Sequence, residues 1–360
     1  MKDSFLYKKT YDAIYERIDS GDYPVGSKLP AEDLLCKEYG VSLITVKKAL
    51  NMLSEQGLIN RIPGKGTFIT KPGTAAGADG GKLLGVIFEH IASPYGLSMM
   101  YYMDEIAAAN GFKLLIRFSY CLREKETEEI EFLLNAGVQG LIIMPSHGQH
   151  YNPAILKLVL EKFPVILIDK SLQGIEVPSV RTDNSGAMKT LIQYMKGRGC
   201  QQIGLITSGE SDATSIMERR EGFYQGLLEK ELEPCPECVL TPQYVYETQE
   251  AFDITTRQLR QYLLNHHSRL DGVICSEYSF IPKLVRAAGQ LSISLDEDLL
   301  VCCIDEDDLA PGGFSFTHMK QDEKEIAIKA MELLLTRLGS GPVKQEDYLV
   351  PAIFRKKQPH

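Results

Sequence analysis

The apolar residues near the start of the chain recur at helical spacing. One stripe runs through residues 7, 11, 14, 15 and 18, at steps of one, three and four, which predicts a first helix that ends near Gly21. A second helix is predicted to begin behind Pro30 and to end at Gly40. A third is predicted to begin at the capping residue Ser42 and to end at Gly57. Short turns therefore separate three predicted helices.

The third predicted helix has a buried stripe and an exposed basic face. Its apolar stripe consists of Val46, Ala49, Leu50 and Leu53. The outward face then carries Ile44, Lys47, Lys48 and Asn51. Residues 58–62 and 67–69 are predicted to form two short strands around a turn at 63–66. Three helices followed by such a hairpin predict a winged helix-turn-helix, whose third helix would enter the major groove of DNA.

From residue 83 the pattern changes to alternating strands and helices. Apolar runs that predict buried parallel strands lie at 83–88, 113–116, 140–144, 165–168, 203–206, 272–275 and 300–304. This alternation predicts a doubly wound parallel α/β sheet. About 275 residues exceed one economical core, so we expect two similar lobes with a ligand crevice between the carboxyl ends of their strands.

A stretch rich in Gly and Ala at 71–82 separates the two patterns. It contains no apolar anchor and is predicted to be a linker. We therefore expect one domain at 1–70 and a larger α/β domain at 83–360.

Charge and apolar content exclude several classes of protein. Residues 1–70 hold ten Lys or Arg and nine Asp or Glu, so the net charge of −9 originates outside the predicted DNA-binding domain. No apolar run approaches the ~18 residues of a membrane span. The first residues show no secretory signal pattern. We therefore expect a cytoplasmic protein with no membrane partner.

The eight cysteines are scattered and are expected to be reduced. Cys235 and Cys238 have the spacing of a metal knuckle, but no suitable second pair completes a tetrahedral zinc site. No metal and no cofactor are therefore predicted.

Four blocks of the first domain, at 24–32, 41–50, 53–59 and 64–69, resemble the GntR family of bacterial repressors. The chain departs from the family pattern at Leu43, where an arginine is common, and at Ala31, where a serine is usual. The resemblance implies that DNA is contacted by Lys28, Ser42, Thr45, Lys47, Lys48, Arg61, Lys65 and Gly66. Cationic and hydroxyl side chains supply most phosphate contacts, so most of these residue types agree with that role.

Four later blocks, at 180–187, 198–206, 219–223 and 304–307, resemble the sensor domain of the LacI family and of periplasmic binding proteins. The resemblance covers essentially residues 83–355 and implies an effector-binding and dimerisation domain at 83–360. A GntR-type head joined to such a sensor is similar to the arabinose-responsive repressors of Gram-positive bacteria. The resemblance therefore implies a homodimer that binds double-stranded operator DNA and a small sugar effector, L-arabinose or a related pentose.

A sugar site needs charged or bidentate hydrogen-bonding groups and an aromatic face. Arg219 and Asp305 match ligand positions of the sensor family, and Asp305 follows an apolar strand. The alternative for Arg219 is a surface arginine at the start of a helix. Near Cys275 the family usually has Asn-Asp, whereas this chain has Glu277 and Tyr278, so either Glu277 supplies the ligand acid or that acid is lost.

The other lobe is expected to contribute residues that follow its own strands. The loop after the first strand runs from His90 to Tyr95, and Tyr95 is a candidate stacking platform for the sugar. Ser146 and His147 follow the strand at 140–144 and are expected to line the crevice for the same reason.

Catalysis is the competing class of function, because α/β sheets host many enzymes. The chain has no Gly-x-Ser-x-Gly nucleophile motif and no metal-spaced His/Glu pair, and its His266-His267 doublet lies in a polar helix tail. The sequence therefore predicts a sugar-responsive transcription repressor and not an enzyme. The alternatives are a response to a different sugar, an activator, a cytoplasmic sugar-binding protein or an α/β enzyme.

Overall fold

The computed structural model describes residues 3–55, 57–62, 66–69, 82–91, 95–146, 151–172, 174–209, 213–241, 247–306, 315–339 and 347–357. The chain divides into two compact units, Met1–Gly81 and Lys82–His360. Most of the predicted linker lies outside the described residues. Lys82, which we expected to end the linker, is instead the first residue of a strand.

The N-terminal unit contains three helices and a two-stranded hairpin. Its elements are α1 (Asp3–Asp19), α2 (Glu32–Tyr39), α3 (Leu43–Glu55), β1 (Ile59–Ile62) and β2 (Gly66–Ile69). The two strands pair antiparallel, from Ile59 opposite Ile69 to Ile62 opposite Gly66. Gly40 closes α2 in the left-handed conformation, where a residue without Cβ is favoured. The predicted winged helix-turn-helix is confirmed.

One small core holds this unit together. Ile14, Leu35, Val46 and Leu53 come from all three helices and are fully buried. Burying each such side chain stabilises the fold by ~1.5–3 kcal/mol. Because this stripe fixes the inner face of α3, the opposite face of α3 is exposed.

The larger unit alternates strands and helices along the chain. In order, its elements are β3 (Lys82–Phe88), α4 (Leu97–Ala109), β4 (Phe112–Phe118), α5 (Arg123–Asn135), β5 (Leu141–Ile143), α6 (Pro153–Leu160), β6 (Val165–Ile168), β7 (Ser179–Thr182), α7 (Asn184–Gly197), β8 (Ile203–Ser208), α8 (Thr214–Glu229), β9 (Cys238–Leu240), α9 (Gln249–His266), β10 (Gly272–Cys275), α10 (Ile281–Gly289), β11 (Leu300–Ile304), β12 (Thr317–Lys320), α11 (Glu323–Leu338), β13 (Asp347–Val350) and β14 (Ile353–Arg355).

These elements form two lobes, each built on one sheet. The sheet of the amino lobe has the strand order β13-β7-β6-β5-β3-β4, and all its pairs are parallel. The sheet of the carboxyl lobe has the order β14-β12-β11-β10-β8-β9, and only the β12–β14 pair is antiparallel. The predicted two-lobed, doubly wound architecture is confirmed.

Helices cover both faces of each sheet with apolar side chains. In the amino lobe, α4 and α11 pack on one face, and α5 and α6 pack on the other. In the carboxyl lobe, α7 and α8 cover one face, and α9 and α10 cover the other. Both sheets are therefore buried on both sides, which explains their nearly continuous apolar strands.

The chain passes between the lobes at three places. These crossings follow β7 at Asp183, β12 at Gln321 and β13 at Val350. Asp183 N donates a hydrogen bond to Val350 O (2.8 Å), so the first and third crossings are joined directly. Among the described residues, no helix is both long enough and apolar enough to cross a membrane.

Candidate functional site

The carboxyl edge of the carboxyl-lobe sheet gathers a set of buried polar groups. The strand order reverses between β8 and β10, and ligands of open α/β sheets bind outside the strand ends at such a point. Thr207 lies near the end of β8, Ser276 directly follows β10, and Asp305 directly follows β11. All three are buried. The sheet topology therefore brings together residues far apart in the sequence.

Arg219 reaches this edge from α8. Its side chain is only 6% exposed, so the alternative of a surface arginine is wrong. Arg219 Nε donates to Asn184 Oδ1 (2.8 Å), and Nη1 donates to the backbone oxygen of Ser276 (2.8 Å). Asn184 is the first residue of α7, immediately after the first crossing. The guanidinium therefore joins a strand end to a lobe crossing.

Asp305 is held at the same edge by the second crossing. It has a positive φ of 63°, a left-handed conformation that aspartate tolerates better than most residues. Gln321 donates to both of its carboxylate oxygens, from N (3.0 Å) and from Nε2 (2.7 Å). Burial raises the pKa of Asp305, although the Gln321 hydrogen bonds and the charge of Arg219 oppose this shift. A buried carboxylate is thus held near a buried guanidinium.

A hydrogen bond connects two of the crossings next to Asp305. Thr182 Oγ1 donates to Gln321 Oε1 (2.7 Å), and both residues are buried. Because Gln321 also binds Asp305, a ligand that displaces Asp305 would change the contacts at this connection.

Several buried hydroxyl groups at this edge have no hydrogen-bond partner among the described residues. They are Thr207 Oγ1, Thr214 Oγ1, Ser276 Oγ and Ser279 Oγ. A buried polar group without a partner costs ~1–3 kcal/mol, so a polar ligand that bonds these groups would recover that free energy.

Glu277 and Tyr278 lie in different surroundings. Glu277 directly follows Ser276 and is half-buried. Tyr278 is buried in the apolar core of the carboxyl lobe. Glu277 therefore stays the candidate for the acid position, and Tyr278 has a packing role.

The amino lobe contributes Tyr95. Its hydroxyl is buried close to the carboxylate of Asp169. Burial raises the pKa of Tyr95 well above its ordinary value, and the charges of Asp169, Glu323 and Asp305 raise it further. Asp305 belongs to the other lobe, so Tyr95 lies where the two lobes approach each other.

Glu323 anchors the helix that follows Tyr95. Its Oε2 accepts hydrogen bonds from Gly96 N (2.9 Å) and Met99 N (3.0 Å) at the start of α4. A carboxylate stabilises a helix N-terminus by satisfying its free N–H groups. Since Glu323 begins α11 just after the second crossing, the position of Tyr95 depends on that crossing.

The other predicted residues of the amino lobe lie at the ends of its strands. His90 follows β3, and its Nδ1 lies 3.8 Å from Cys121 Sγ. Ser146 follows β5; its N donates to Glu126 Oε1 (2.7 Å) and its Oγ lies 3.1 Å from Ser119 Oγ. Ser146 is thus already engaged by protein groups. His147 lies outside the described residues.

A buried ion pair at the carboxyl edge of the amino-lobe sheet was not predicted from the sequence. Lys170 Nζ pairs with Glu89 Oε2, and it also donates to the backbone oxygen of Pro145 (3.3 Å). Burial would lower the pKa of Lys170, but the charges of Glu89 and Asp169 outweigh burial and raise it. Glu89 follows β3, and Asp169 and Lys170 follow β6. The strand-end rule that selected His90 and Ser146 would also have selected them.

A second ion pair joins the lobes beside the first crossing. Arg181 in β7 of the amino lobe pairs with Glu218 in α8 of the carboxyl lobe. Arg181 Nη2 also donates to Asp347 Oδ2 (2.8 Å) in β13. Glu218 directly precedes Arg219, so a residue of the interlobe ion pair and a residue of the crevice lie on the same turn of α8.

The exposed face of α3 carries the candidate DNA contacts of the N-terminal unit. Ser42 caps the helix, and its Oγ lies 2.9 Å from Thr45 Oγ1. Thr45 is only 8% exposed, so its position favours a capping role over a DNA contact. Lys47 and Lys48 are exposed, with Lys47 Nζ 3.9 Å from Glu32 and Lys48 Nζ 5.1 Å from the ring centre of Tyr7.

Two apolar residues on the same helix were not predicted as contacts. Leu43 is 47% exposed and Ile44 is 75% exposed. Apolar side chains in the major groove contact thymine methyl groups, so this pair suits base recognition.

The hairpin places Gly66 beside Lys28. Gly66 has a φ of 114°, and a Cβ there would lie 2.4 Å from Lys28 Cε, so the lysine stem packs against the glycine backbone. Arg61 lies in β1 opposite Thr67, but its side chain is outside the described residues. Lys65 is also outside them.

Models of three protein families match successive parts of the chain. Residues 6–69 match bacterial regulatory proteins of the gntR family. Residues 82–240 match the periplasmic binding proteins and sugar binding domain of the LacI family, and residues 192–356 match a periplasmic binding protein-like domain. The chain joins a gntR-family head to a LacI-type sensor. Together these matches span both compact units.

Individual regulators of this kind resemble the chain over most of its length. The arabinose metabolism transcriptional repressor of Geobacillus stearothermophilus is 22% identical over 95% of this chain and 94% of its own length. The sucrose operon repressor of Streptococcus mutans is 23% identical over 88% of this chain and 95% of its own length. The crystal structure of transcription regulator CcpA of Lactococcus lactis aligns with a TM-score of 0.65 and 20% identity, covering 77% of this chain and 98% of its own.

These matches decide between a regulator and an enzyme. The gntR family and the relatives above are transcriptional regulators. The gntR/LacI-type chain is therefore a transcriptional regulator and not an enzyme, as predicted.

Proposed function

We propose that this regulator is a cytoplasmic repressor of sugar-utilisation genes, released from its operator by a small sugar bound between the lobes of its sensor. L-Arabinose or a related pentose is the proposed effector. The observation that carries the proposal is the pair of buried, opposite charges at one strand edge. Arg219 and Asp305 are each hydrogen-bonded to a lobe crossing, through Asn184 and Gln321.

The chemistry of the crevice suits a sugar. A sugar presents hydroxyl groups that both donate and accept, so its site needs fixed donors beside fixed acceptors. Arg219 supplies a planar fork of donors, and the Asp305 carboxylate accepts. The hydroxyls of Thr207 and Ser276 supply groups of both kinds, and the ring of Tyr95 offers an apolar face.

The same contacts link sugar binding to lobe movement. A sugar that bonds Arg219 and Asp305 competes with their present partners, Asn184 and Gln321, which belong to the crossings. The Arg181–Glu218 ion pair beside the first crossing must adjust with them. Coupling of this kind typically amounts to ~1–3 kcal/mol, or about 5- to 150-fold in affinity.

The proposed DNA partner is a roughly palindromic operator bound by a homodimer. Helix-turn-helix proteins bind two half-sites with two copies of the recognition helix. In this proposal α3 enters the major groove, with Ser42, Lys47 and Lys48 at its exposed face, while Lys28 and Gly66 at the hairpin approach the backbone. Arg61, Lys65 and the buried Thr45 stay weaker candidates for the same surface.

A fluorescence-anisotropy titration tests both halves of the proposal. The full-length protein is titrated onto DNA from immediately upstream of its own gene, with and without L-arabinose. We expect tight, salt-sensitive binding that the sugar weakens by about 5- to 150-fold. By linkage, the same DNA should weaken sugar binding by an equal factor.

Repeating the titration with a panel of sugars tests the identity of the effector separately from sugar-induced release. Because the relatives include an arabinose metabolism repressor and a sucrose operon repressor, both sugars belong in the panel. Release by another sugar alone would reject L-arabinose and keep the repressor. Operator affinity unchanged by every sugar, or strengthened by one, would reject induced release.

Removing Lys47 is expected to weaken operator binding through a lost phosphate contact. For Lys47→Ala we expect weaker binding across DNA sequences and a salt slope smaller by about one. The matched control is Lys157→Ala, which removes one exposed lysine from the sensor and leaves the head unchanged. Equal salt slopes for Lys47→Ala and wild type would place Lys47 outside the DNA interface.

A further inference from the structure

Three metal-ligating side chains meet at the carboxyl edge of the amino lobe. A carboxylate oxygen of Glu89, a ring nitrogen of His90 and the sulfur of Cys121 all lie within 4.8 Å of one another. Cys121 Sγ is 3.8 Å from His90 Nδ1. In a tetrahedral zinc site with Zn–S and Zn–N bonds of about 2.3 and 2.1 Å, sulfur and nitrogen are ~3.6 Å apart. The observed spacing is therefore close to that of two zinc ligands.

Neighbouring strands bring the three residues together. Glu89 and His90 directly follow β3, and Cys121 lies three residues after β4. Phe88 and Phe118 are opposite each other at the ends of these strands, and Ser119 N donates to Phe88 O (2.9 Å). The cluster is thus positioned by the paired strands of the sheet.

The backbone between β4 and α5 turns Cys121 toward His90. Tyr120 and Cys121 have φ values of 54° and 62°, so two successive residues with a Cβ adopt the left-handed conformation. Such conformations are unfavourable for residues with a Cβ and persist only where the surroundings hold them.

The charges around the cluster favour a cation. The two carboxylates of Glu89 and Asp169 lie against the single ammonium of Lys170. Lys170 holds one oxygen of Glu89 and so fixes the orientation of that carboxylate, as second-shell groups do for metal ligands. A divalent cation would offset the excess negative charge.

We propose that Glu89, His90 and Cys121 bind a zinc ion, with the fourth tetrahedral position left to water or to a ligand. A thiolate, an imidazole and a carboxylate together suit zinc, whereas magnesium and calcium prefer oxygen ligands alone. On binding, the Cys121 thiol releases its proton to solvent as the zinc–sulfur bond forms. The site is distinct from the Cys235–Cys238 pair that the sequence analysis rejected.

Cobalt substitution tests the site on the metal-free full-length protein. Co²⁺ takes the place of zinc in tetrahedral sites and absorbs in the near ultraviolet when a thiolate is bound. We expect wild type to develop this thiolate-to-cobalt band, and excess Zn²⁺ to abolish it. Cys121→Ser is expected to lose the band completely, and His90→Ala is expected to bind cobalt more weakly.

Matched variants separate this site from other binding. Cys36 is the other cysteine that is not fully buried, and it lies in the N-terminal unit, so Cys36→Ser should keep the band. His266→Ala, in the histidine doublet, should keep it as well. Unchanged thermal unfolding of the metal-free variants would show that each is folded.

Three outcomes would overturn the proposal. They are the lack of a thiolate band in wild type, a band that survives in Cys121→Ser, and a band that disappears in Cys36→Ser. The readout is metal binding itself, so the result does not depend on whether the crevice binds a sugar.

Discussion

Arg219→Ala is expected to leave the regulator bound to its operator at sugar concentrations that release the wild type. The variant removes a buried guanidinium that would donate to the sugar, and it leaves Asp305 buried without its nearby positive charge. A hydrogen bond from a charged group contributes ~1.5–3 kcal/mol, so we expect loss of the Arg219 donors to raise the sugar dissociation constant about 10-fold or more. Isothermal titration calorimetry of sugar binding and anisotropy of operator binding measure the two effects.

The adjacent arginine provides the control. Arg220 lies beside Arg219 on α8 and pairs with Glu237 (2.7 Å), which directly precedes β9; the Arg220 side chain is 42% exposed. Arg220 bonds Glu237 and not Asn184 or Ser276, the partners of Arg219, so Arg220→Ala should bind sugar nearly as well as wild type. A similar loss of sugar affinity in both variants would mean that α8 is disturbed generally and that Arg219 is not a ligand.

A second variant, Arg219→Lys, distinguishes the loss of sugar contacts from a folding defect. Lysine keeps a positive charge near Asp305 but lacks the planar fork of donors. We expect a folded protein with normal operator affinity and a sugar affinity between those of wild type and Arg219→Ala. Wild-type sugar affinity in Arg219→Lys would contradict a bidentate role.

The sequence predicts the buried parts of the fold well, because their signals are local. The apolar runs at 83–88, 165–168 and 272–275 coincide closely with β3, β6 and β10. The strands β7, β12 and β13 were not predicted. They flank the crossings, and buried polar residues such as Arg181 and Thr317 interrupt their apolar pattern. The burial of Arg181 depends on a hydrogen bond to Asp347, which lies more than a hundred residues away in the sequence.

Some residues of the candidate site could be predicted from the sequence, and others could not. Asp305, Ser146 and His90 follow predicted strands, so the strand-end rule selects them from sequence. Asn184 and Gln321 follow β7 and β12, which were not predicted, so the rule could not select them; their roles arise from side-chain contacts between distant segments. Thr45 illustrates the reverse case, because residue type and motif suggest a DNA contact while the helix cap buries its hydroxyl.

The cysteines show why spacing alone is a weak guide to metal sites. Cys235 and Cys238 have knuckle spacing, yet Cys235 Sγ donates to Gln202 Oε1 (3.2 Å), and burial raises the pKa of the Cys238 thiol to about 12. The proposed zinc ligands Glu89, His90 and Cys121 have no such spacing. Only the pairing of β3 with β4 brings them together.

Gly222→Ala is expected to destabilise the sensor and to weaken sugar binding together. A Cβ at Gly222 would lie 2.5 Å from Ser185 Cα and 2.6 Å from Ser185 O, which are backbone atoms at the start of α7. Overpacking of this kind costs ~1–3 kcal/mol, and here α7 must move away from α8. Asn184 moves with α7, so its 2.8 Å contact with Arg219 is disturbed. Thermal unfolding should show a midpoint lower by roughly 2–4 °C for each kcal/mol lost.

The sign of the stability change makes this prediction decisive. In an unobstructed helix interior, alanine is more favourable than glycine by ~1 kcal/mol, so propensity alone predicts a gain in stability. Gly226→Ala lies one turn later on α8, where a Cβ would lie 3.2 Å from Ile192 Cγ1 and 3.3 Å from Lys189 Cα. These distances are longer than the 2.5 and 2.6 Å at Gly222, so we expect a smaller change there and a sugar affinity close to that of wild type. A Gly222→Ala protein at least as stable as wild type would show that close α7–α8 contact does not hold Arg219 and Asn184 in place. A destabilised protein with unchanged sugar affinity would separate the helix packing from the sugar site.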